Sequence, residues 1–367
     1  MLDIRLKKVQ GNFTVETAFV SDGAGVTALF GHSGAGKTSV INMLAGLTRP
    51  DAGHIMVNDH CVFDAEKVID IPPEKRRFGY VFQDGRLFPH LSVRANLTYG
   101  MKRVRPRDRY IRFDQVVDLL GIGHLLTRHP ATLSGGEKQR VAIGRSLLTS
   151  PVLLLMDEPL ASLDAARKTE VLPFIARLSG ELSVPILYVS HSVDEILNLA
   201  DTLVFLSGGK SVAVGSVEAV TARNDFQRLT GRTEAGVVLS TAVESHDLSA
   251  GLTRLRFSGG VLSVPRVEIP AGDTVRVRIH PRNVGIALEP FPRASFQNIF
   301  QGTVEEITDP CDGTLVDVRL DIGAPLIATI TPQARQELDL NPGTPVYAMI
   351  KSVSISLGSS FNGNHHR

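Results

Sequence analysis

Eight residues constrain this chain more than any others: Gly31-His32-Ser33-Gly34-Ala35-Gly36-Lys37-Thr38. An apolar run, Val26-Thr27-Ala28-Leu29-Phe30, stands before them and predicts a short buried strand. Residues 39–47 after them carry apolar side chains at helical spacing. Strand, glycine loop and helix form the context in which a G-x-x-x-x-G-K-[ST] string acquires meaning. Gly31, Gly34 and Gly36 permit positive φ and close approach of the backbone to a ligand. Successive N–H groups can then converge on an anion, and the positive end of the following helix adds to their field. In that geometry Lys37 reaches the β- and γ-phosphates of a nucleotide and the Thr38 hydroxyl binds Mg²⁺.

The surrounding pattern is that of an α/β sheet. Residues 3–20 alternate apolar and polar positions, as an antiparallel layer does. Three further apolar runs each end in polar residues. Gly79-Tyr80-Val81-Phe82 ends at Gln83, Val152-Leu153-Leu154-Leu155-Met156 at Asp157-Glu158, and Pro185-Ile186-Leu187-Tyr188-Val189-Ser190 at His191. Ligands of largely parallel sheets bind beyond the carboxyl ends of the strands, where Thr38, Gln83, Asp157, Glu158 and His191 all fall. Between about 85 and 150 the pattern is mostly helical, and it includes Leu133-Ser134-Gly135-Gly136-Glu137-Lys138-Gln139-Arg140. Ser134 with Glu137 has the spacing of a capping box. Capping does not require two adjacent glycines, whereas close approach to a phosphate does.

The 367 residues suffice for two or three domains. Lys plus Arg number 39 against 38 Asp plus Glu, so no global basic field points to a nucleic-acid partner. The basic runs Lys75-Arg76-Arg77 and Lys102-Arg103-Val104-Arg105-Pro106-Arg107 read as solvated faces. Two cysteines, Cys61 and Cys311, do not make a disulfide framework, which fits a reducing compartment. The start of the chain lacks an apolar core of signal-peptide length, and no apolar run is long enough to span a bilayer. These features predict a cytoplasmic location, with any membrane link made through a partner.

The string from Leu133 to Arg140 resembles the signature of ATP-binding-cassette ATPases, and the remaining parts follow that family's order over roughly residues 1–230. The resemblance implies an α/β P-loop cassette with an antiparallel β layer and a helical subdomain, and a homodimer that clamps two MgATP at its seam. It further implies that Phe13 stacks on adenine, that Gln83 contacts Mg²⁺ and the attacking water, and that Ser134, Gly135 and Gly136 touch the γ-phosphate held by the other subunit. Ser162-Leu163-Asp164 crosses the dimer seam and His191 senses the γ-phosphate. Chemical need adds that Asp157 suits the metal and that Glu158 is the carboxylate placed to activate water.

Beyond about residue 208 the composition shifts to turns and short alternating strands. The expected organisation is a cassette over 1–232, a β-rich connecting segment over 233–289, a small all-β, OB-like barrel over 290–356 and a disordered tail over 357–367. In the tail, His365-His366 lacks a further ligand and reads as inert. A single short helix is predicted after Thr331-Pro332, ending near Asn341-Pro342-Gly343. Ser295-Phe296-Gln297-Asn298, Gly302 and the segment Ile350–Ile355 resemble a Mop-type domain, in which Ser295, Asn298, Lys351, Ser352 and Ser354 would offer donors to a tetrahedral oxyanion. Gln297 departs from the arginine common at that position. A cassette followed by such a domain resembles the ATP-binding subunits of molybdate importers, peripheral on the cytoplasmic face of the inner membrane. That implies a permease dimer as partner, docking on the helical segment, and an external molybdate-binding protein. Importers of sulfate, iron or polyamines, and soluble non-transport ATPases, are the alternatives. The latter need a coiled-coil insertion or second cassette that is absent here.

Overall fold

The computed structural model describes residues 1–22, 25–182, 184–230, 236–290, 295–308 and 314–361. The tail histidines and Cys311 lie outside them. The chain divides into two compact units, Met1–Ser216 and Val217–Arg367.

In the first unit the alternating residues form β1 (Leu2–Gln10) and β2 (Phe13–Ser21), paired antiparallel from Leu2↔Ser21 to Gln10↔Phe13. The two-residue connection Gly11-Asn12 has positive φ at Gly11 alone, as a type II′ turn requires. Then come β3 (Val26–Phe30), α1 (Lys37–Ala45), β4 (Ala52–Val57), β5 (His60–Asp64), β6 (Ile69–Asp70), α2 (Pro73–Arg76) and β7 (Phe78–Val81). The helical segment holds α3 (Val93–Met101), α4 (Phe113–Leu119) and α5 (Gly135–Leu147). The unit closes with β8 (Leu153–Asp157), α6 (Ala165–Leu182), β9 (Ile186–Ser190), α7 (Val193–Leu199), β10 (Thr202–Ser207) and β11 (Lys210–Ser216).

Eleven strands hydrogen-bond in the order β6-β5-β4-β1-β2-β11-β10-β3-β9-β8-β7. The run β10, β3, β9, β8, β7 is parallel, and β1, β2, β4, β5 and β6 are joined antiparallel. Strands β3 and β9 are buried at every residue, which is why they read as unbroken apolar runs rather than alternating ones. Helix α1, through Val40, Ile41, Met43 and Leu44, shares one core with β1, β2, β4 and β5 and with one side of β3, β8, β9 and β10. A second core joins α3, α4, α5 and α6 to the far side of β7, β8 and β9. Because the parallel strands share a direction, their carboxyl ends, and the polar residues following them, gather on one edge.

The compositional shift expected beyond about residue 208 begins inside the first unit, where Gly208-Gly209 turns the hairpin between β10 and β11. The unit boundary falls at 216 rather than 232. Helices α8 (Val217–Thr221) and α9 (Asn224–Thr230) belong to the second unit. Thr221 Oγ1 accepts from the Val238 N–H at 3.2 Å and Glu218 pairs with Arg276 at 2.9 Å.

The second unit carries β12 (Val237–Asp247), β13 (Leu252–Phe257), β14 (Gly260–Pro265), β15 (Thr274–Ile279), β16 (Val284–Ala287), β17 (Asn298–Thr308), β18 (Val316–Asp321) and β19 (Pro325–Ile330). Helix α10 (Pro332–Glu337) has the predicted Thr331 cap, its Oγ1 accepting from the Ala334 N–H at 3.1 Å, and β20 (Pro345–Ile350) and β21 (Ile355–Phe361) follow. Two curled five-stranded sheets result, β14-β13-β12-β15-β21 and β16-β20-β17-β18-β19. Each half lends the other a strand: β16 pairs with β20, and β21 pairs with β15. The described part of the expected connecting segment 233–289, residues 236–289, is therefore half of a shared core, and residues 357–361 of the expected tail are paired in β21. Residues 362–367 of that tail lie outside the described residues.

Candidate nucleotide site

The glycine loop leaves β3 and enters α1 as its sequence requires. Gly36 caps α1 at φ 100°, and a Cβ there would stand 3.2 Å from Val15 Cγ2 and 3.4 Å from Phe13 Cε1. Only glycine fits that position, and the same geometry puts the half-buried Phe13 ring beside the loop. His32, Ser33, Gly34 and Thr38 are exposed, whereas Gly31, Ala35 and Lys37 are buried. The Lys37 ammonium donates to the carbonyls of Gly31 at 2.7 Å and His32 at 2.9 Å, and lies 3.7 Å from Glu158 Oε1. Burial lowers its pKa, against the raising effect of the Glu158 charge.

Asp157 ends β8, and Glu158 follows with φ 45°, a left-handed backbone that a non-glycine residue adopts at a cost. Its N–H donates to Val189 O of the neighbouring strand at 3.1 Å, which aims the carboxylate back over the loop. The Thr38 hydroxyl lies 3.5 Å from Asp157 Oδ1. Glu158 Oε2 lies 3.2 Å from His191 Nδ1, just past the end of β9. Burial pushes the Asp157 carboxyl up, and a hydrogen bond from Tyr80 works the other way. Lys37, Thr38, Asp157, Glu158 and His191 thus meet as the strand-end rule predicts, although they span more than 150 positions.

Gln83 is exposed just past the end of β7. The Ser134 side chain accepts from the Glu137 N–H at 3.2 Å, and the Ser134 N–H donates to Glu137 Oε2 at 2.7 Å, so the capping box forms. A Cβ on Gly135 would meet Leu163 Cδ2 at 2.9 Å, so the Ser134-Gly135-Gly136 turn and the Ser162–Asp164 segment form a second cluster. Ser162 and Asp164 face solvent there.

Sequence reasoning missed the residues that support this site. The Tyr80 hydroxyl reaches Asp157 Oδ2 at 3.2 Å and Asn42 Oδ1 at 3.1 Å, joining β7, β8 and α1. Burial, then the Asp157 charge, pushes its pKa well above the ordinary value, so it remains a donor. Arg145 on α5 donates to the carbonyls of Gly85 at 2.9 Å and Arg86 at 2.8 Å, holding the segment after Gln83. Buried Asn96 holds the next stretch through the Phe88 N–H and the carbonyls of Phe88, Leu91 and Ser92. A cleft of about 220 Å³ lined by Tyr80, Phe88, Tyr99 and Arg145 opens beside them. The one local signal was a tyrosine in an otherwise apolar strand run.

In the second unit Asn298 is buried. Its side chain accepts from the Ser263 N–H at 2.6 Å and donates to the carbonyls of Ser263 and Ile350 and to the Ser352 hydroxyl. Ser352 in turn donates to Gln297 at 2.7 Å. Asn298 thereby links β17 to β14 and to the end of β20. Ser295 is exposed, Lys351 stands 5.8 Å from the Phe296 ring centre, and the Ser354 side chain lies outside the described residues.

The geometry can be set beside known proteins. The family profile described as ABC transporter matches residues 20–161, and that described as TOBE domain matches 294–357. The "Molybdenum import ATP-binding protein ModC" of Paramagnetospirillum magneticum is 55% identical over 359 residues, 98% of each chain. The chain belongs to the ABC transporter family of ATP-binding proteins. The protein of the same name from Rhodospirillum rubrum is 54% identical over 361 residues, 97% of each chain. CbiO1 of Clostridium perfringens, described as part of the ABC transporter complex cbiONQ, resembles the cassette with a TM-score of 0.52 at 27% identity, over 62% of this chain and 92% of that one. As an ABC protein the chain binds and hydrolyses ATP, and its carboxyl-terminal all-β part contains the TOBE domain. Among the described residues no helix is long and apolar enough to cross a membrane.

Proposed function

We propose that this cassette is the ATP-hydrolysing subunit of a molybdate importer, working as a homodimer beneath a membrane permease. The observation carrying the ATPase half is the meeting of Lys37, Thr38, Asp157, Glu158 and His191 at one sheet edge. The molybdate half is supported by relatives of that name that match end to end at 54–55% identity.

The loop amides and Lys37 neutralise the β- and γ-phosphates of ATP, and Phe13 packs on the adenine. Thr38 and Asp157 present hard oxygen donors 3.5 Å apart, a set that fits Mg²⁺, with Gln83 as a further ligand from the loop after β7. When bound, that ion would supply neutralisation of phosphate charge. Glu158 takes the proton of the attacking water, and His191, 3.2 Å from the same carboxylate, senses the γ-phosphate. Ser134, Gly135 and Gly136 approach the nucleotide of the second copy, and Ser162 and Asp164 lie along the seam. ATP closes the pair and hydrolysis reopens it, a two-state cycle.

The cleft lined by Tyr80, Phe88, Tyr99 and Arg145 supports docking of a helical element of the permease there, with this subunit on the cytoplasmic face of the membrane. An external molybdate-binding protein would deliver the oxyanion. Reconstitution of the chain with its permease in liposomes tests the reading. Binding protein loaded with molybdate should stimulate ATP turnover, and stimulation by sulfate, iron or polyamine carriers instead would overturn it.

A further inference from the structure

Behind His191 sits a buried carboxylate to which the reaction as described assigns no task. Glu195 on α7 is 4% exposed and accepts from three side chains on two other elements, α6 and β9. Lys168 Nζ of α6 reaches Oε1 at 2.8 Å, while the Tyr188 hydroxyl of β9 at 2.9 Å and the Ser190 hydroxyl at 2.7 Å both reach Oε2. Burial, then the charge of Glu195, pushes the Tyr188 phenol well above its ordinary value, so it stays a donor. Ser190 Oγ accepts from the Ser192 N–H at 3.0 Å, and Ser192 Oγ accepts from the Glu195 N–H at 3.4 Å. The three-residue loop with His191 at its centre is therefore tied to one residue on both flanks, to the Glu195 carboxylate through Ser190 and to the Glu195 backbone N–H through Ser192.

The far end of the network leads to the other cluster. Lys168 lies in the first turns of α6, directly after Ser162-Leu163-Asp164, and its N–H donates to Asp164 O at 3.0 Å. Asp164 Oδ1 accepts from the Arg167 N–H at 3.0 Å, so the segment and the start of the helix form one piece. A buried ion pair is weak evidence for stability, since an apolar pair of similar volume often packs as well. What it supplies is direction: three donors fix both oxygens of Glu195, and Glu195 fixes Ser190.

We propose that Glu195 is the positioning residue for His191, and that its pairing with Lys168 makes the place of the imidazole depend on the helix that follows Ser162–Asp164. Contact of that segment with a second copy would then be felt 3.2 Å from Glu158 without any direct contact between the seam and the imidazole. The proposal rests on the reading of His191 as γ-phosphate sensor.

The test compares the full-length variants Glu195→Gln, Lys168→Met, their combination and His191→Ala in steady-state ATP hydrolysis, with equilibrium nucleotide binding and thermal melting recorded alongside. Glu195→Gln should lower kcat by roughly 10-fold or more with KM and nucleotide affinity within about 2-fold of wild type. Lys168→Met should lower kcat in the same way, and the combination should be no worse than Glu195→Gln alone, because both changes break one link. Wild-type kcat in Glu195→Gln beside an inactive His191→Ala overturns this proposal alone. Wild-type turnover in His191→Ala overturns the sensor reading and this proposal with it. Loss of kcat, nucleotide affinity and melting temperature together in both single variants means a merely structural role and also overturns it. Should Glu195→Gln fail to fold, Lys168→Met decides by the same criteria.

Discussion

The Lys37 ammonium and the Glu158 carboxylate form an ion pair at 3.7 Å, although one belongs to the glycine loop and the other to the end of β8. Lys37 also donates to two carbonyls of its own loop, so its charge is held in place before any phosphate is considered. The carboxylate is thereby fixed above the loop, with its second oxygen facing His191. Position and base strength can be separated by substitution.

Glu158→Gln keeps the size and polarity of the side chain and removes its basicity. Turnover should fall on the order of 10²-fold or more if the carboxylate takes the proton from water. ATP affinity should remain within a few-fold, because Lys37 and the loop amides are untouched. Single-turnover hydrolysis beside equilibrium binding checks both, and a variant turning over like wild type removes Glu158 from that role. In sedimentation equilibrium the same variant with ATP should be a dimer.

Arg76 joins the end of α1 to its neighbours. Its guanidinium, nearly fully buried, donates to the carbonyls of Met43 at 2.9 Å, Leu44 at 2.7 Å and Ile71 at 2.6 Å, and pairs with Asp70 at 3.2 Å. Arg76→Ala leaves helix-end carbonyls without donors and should cost on the order of 3 kcal/mol in urea unfolding. Arg76→Lys should recover a minor part, since a point charge cannot reproduce the fork. Nucleotide affinity should fall as well, because α1 begins at Lys37.

The capping box of α5 predicts a pH dependence. The Ser134 N–H holds the Glu137 carboxyl below its ordinary value of 4.5. A carboxyl with a depressed folded pKa contributes stability that is complete above the unfolded value and lost as pH falls through the folded one. Wild type should therefore exceed Glu137→Ala by about 1 kcal/mol at neutral pH, with the gap closing as pH falls below the ordinary value of 4.5 and through the depressed folded one. Urea midpoints of both proteins across that range measure it, and a gap independent of pH would exclude the carboxylate as its source.

Asn298 should behave as a structural residue of the second unit. Asn298→Ala leaves the Ser263 N–H and C=O without their partner in a buried place, at a cost of roughly 2–3 kcal/mol. Hydrogen exchange should show faster exchange across β14 and β17, with ATP turnover of the cassette preserved. Unchanged protection of those strands would exclude that structural role.

The features legible in the sequence are contiguous ones. The strand, glycine loop and helix over 26–47, the carboxylates ending β8, the Ser134 capping box and the short helix after Thr331 each rest on residues within one or two turns of each other. Local backbone geometry and periodicity determine such features wherever the chain goes next. Tertiary structure decided the partners of long polar side chains: Arg76 with the end of α1, Arg145 with residues 85–86, Lys168 with Glu195, and Asn298 with Ser263. It also decided the exchange of β16 and β21 between the two small sheets, and the unit boundary at 216 rather than 232. The side-chain pairings join positions 27 to 60 apart, and the exchanged strands positions up to 87 apart, as for Thr274 with Phe361. No periodicity marks them, because a buried donor is satisfied by whichever carbonyl or carboxylate the packing of distant elements brings within reach.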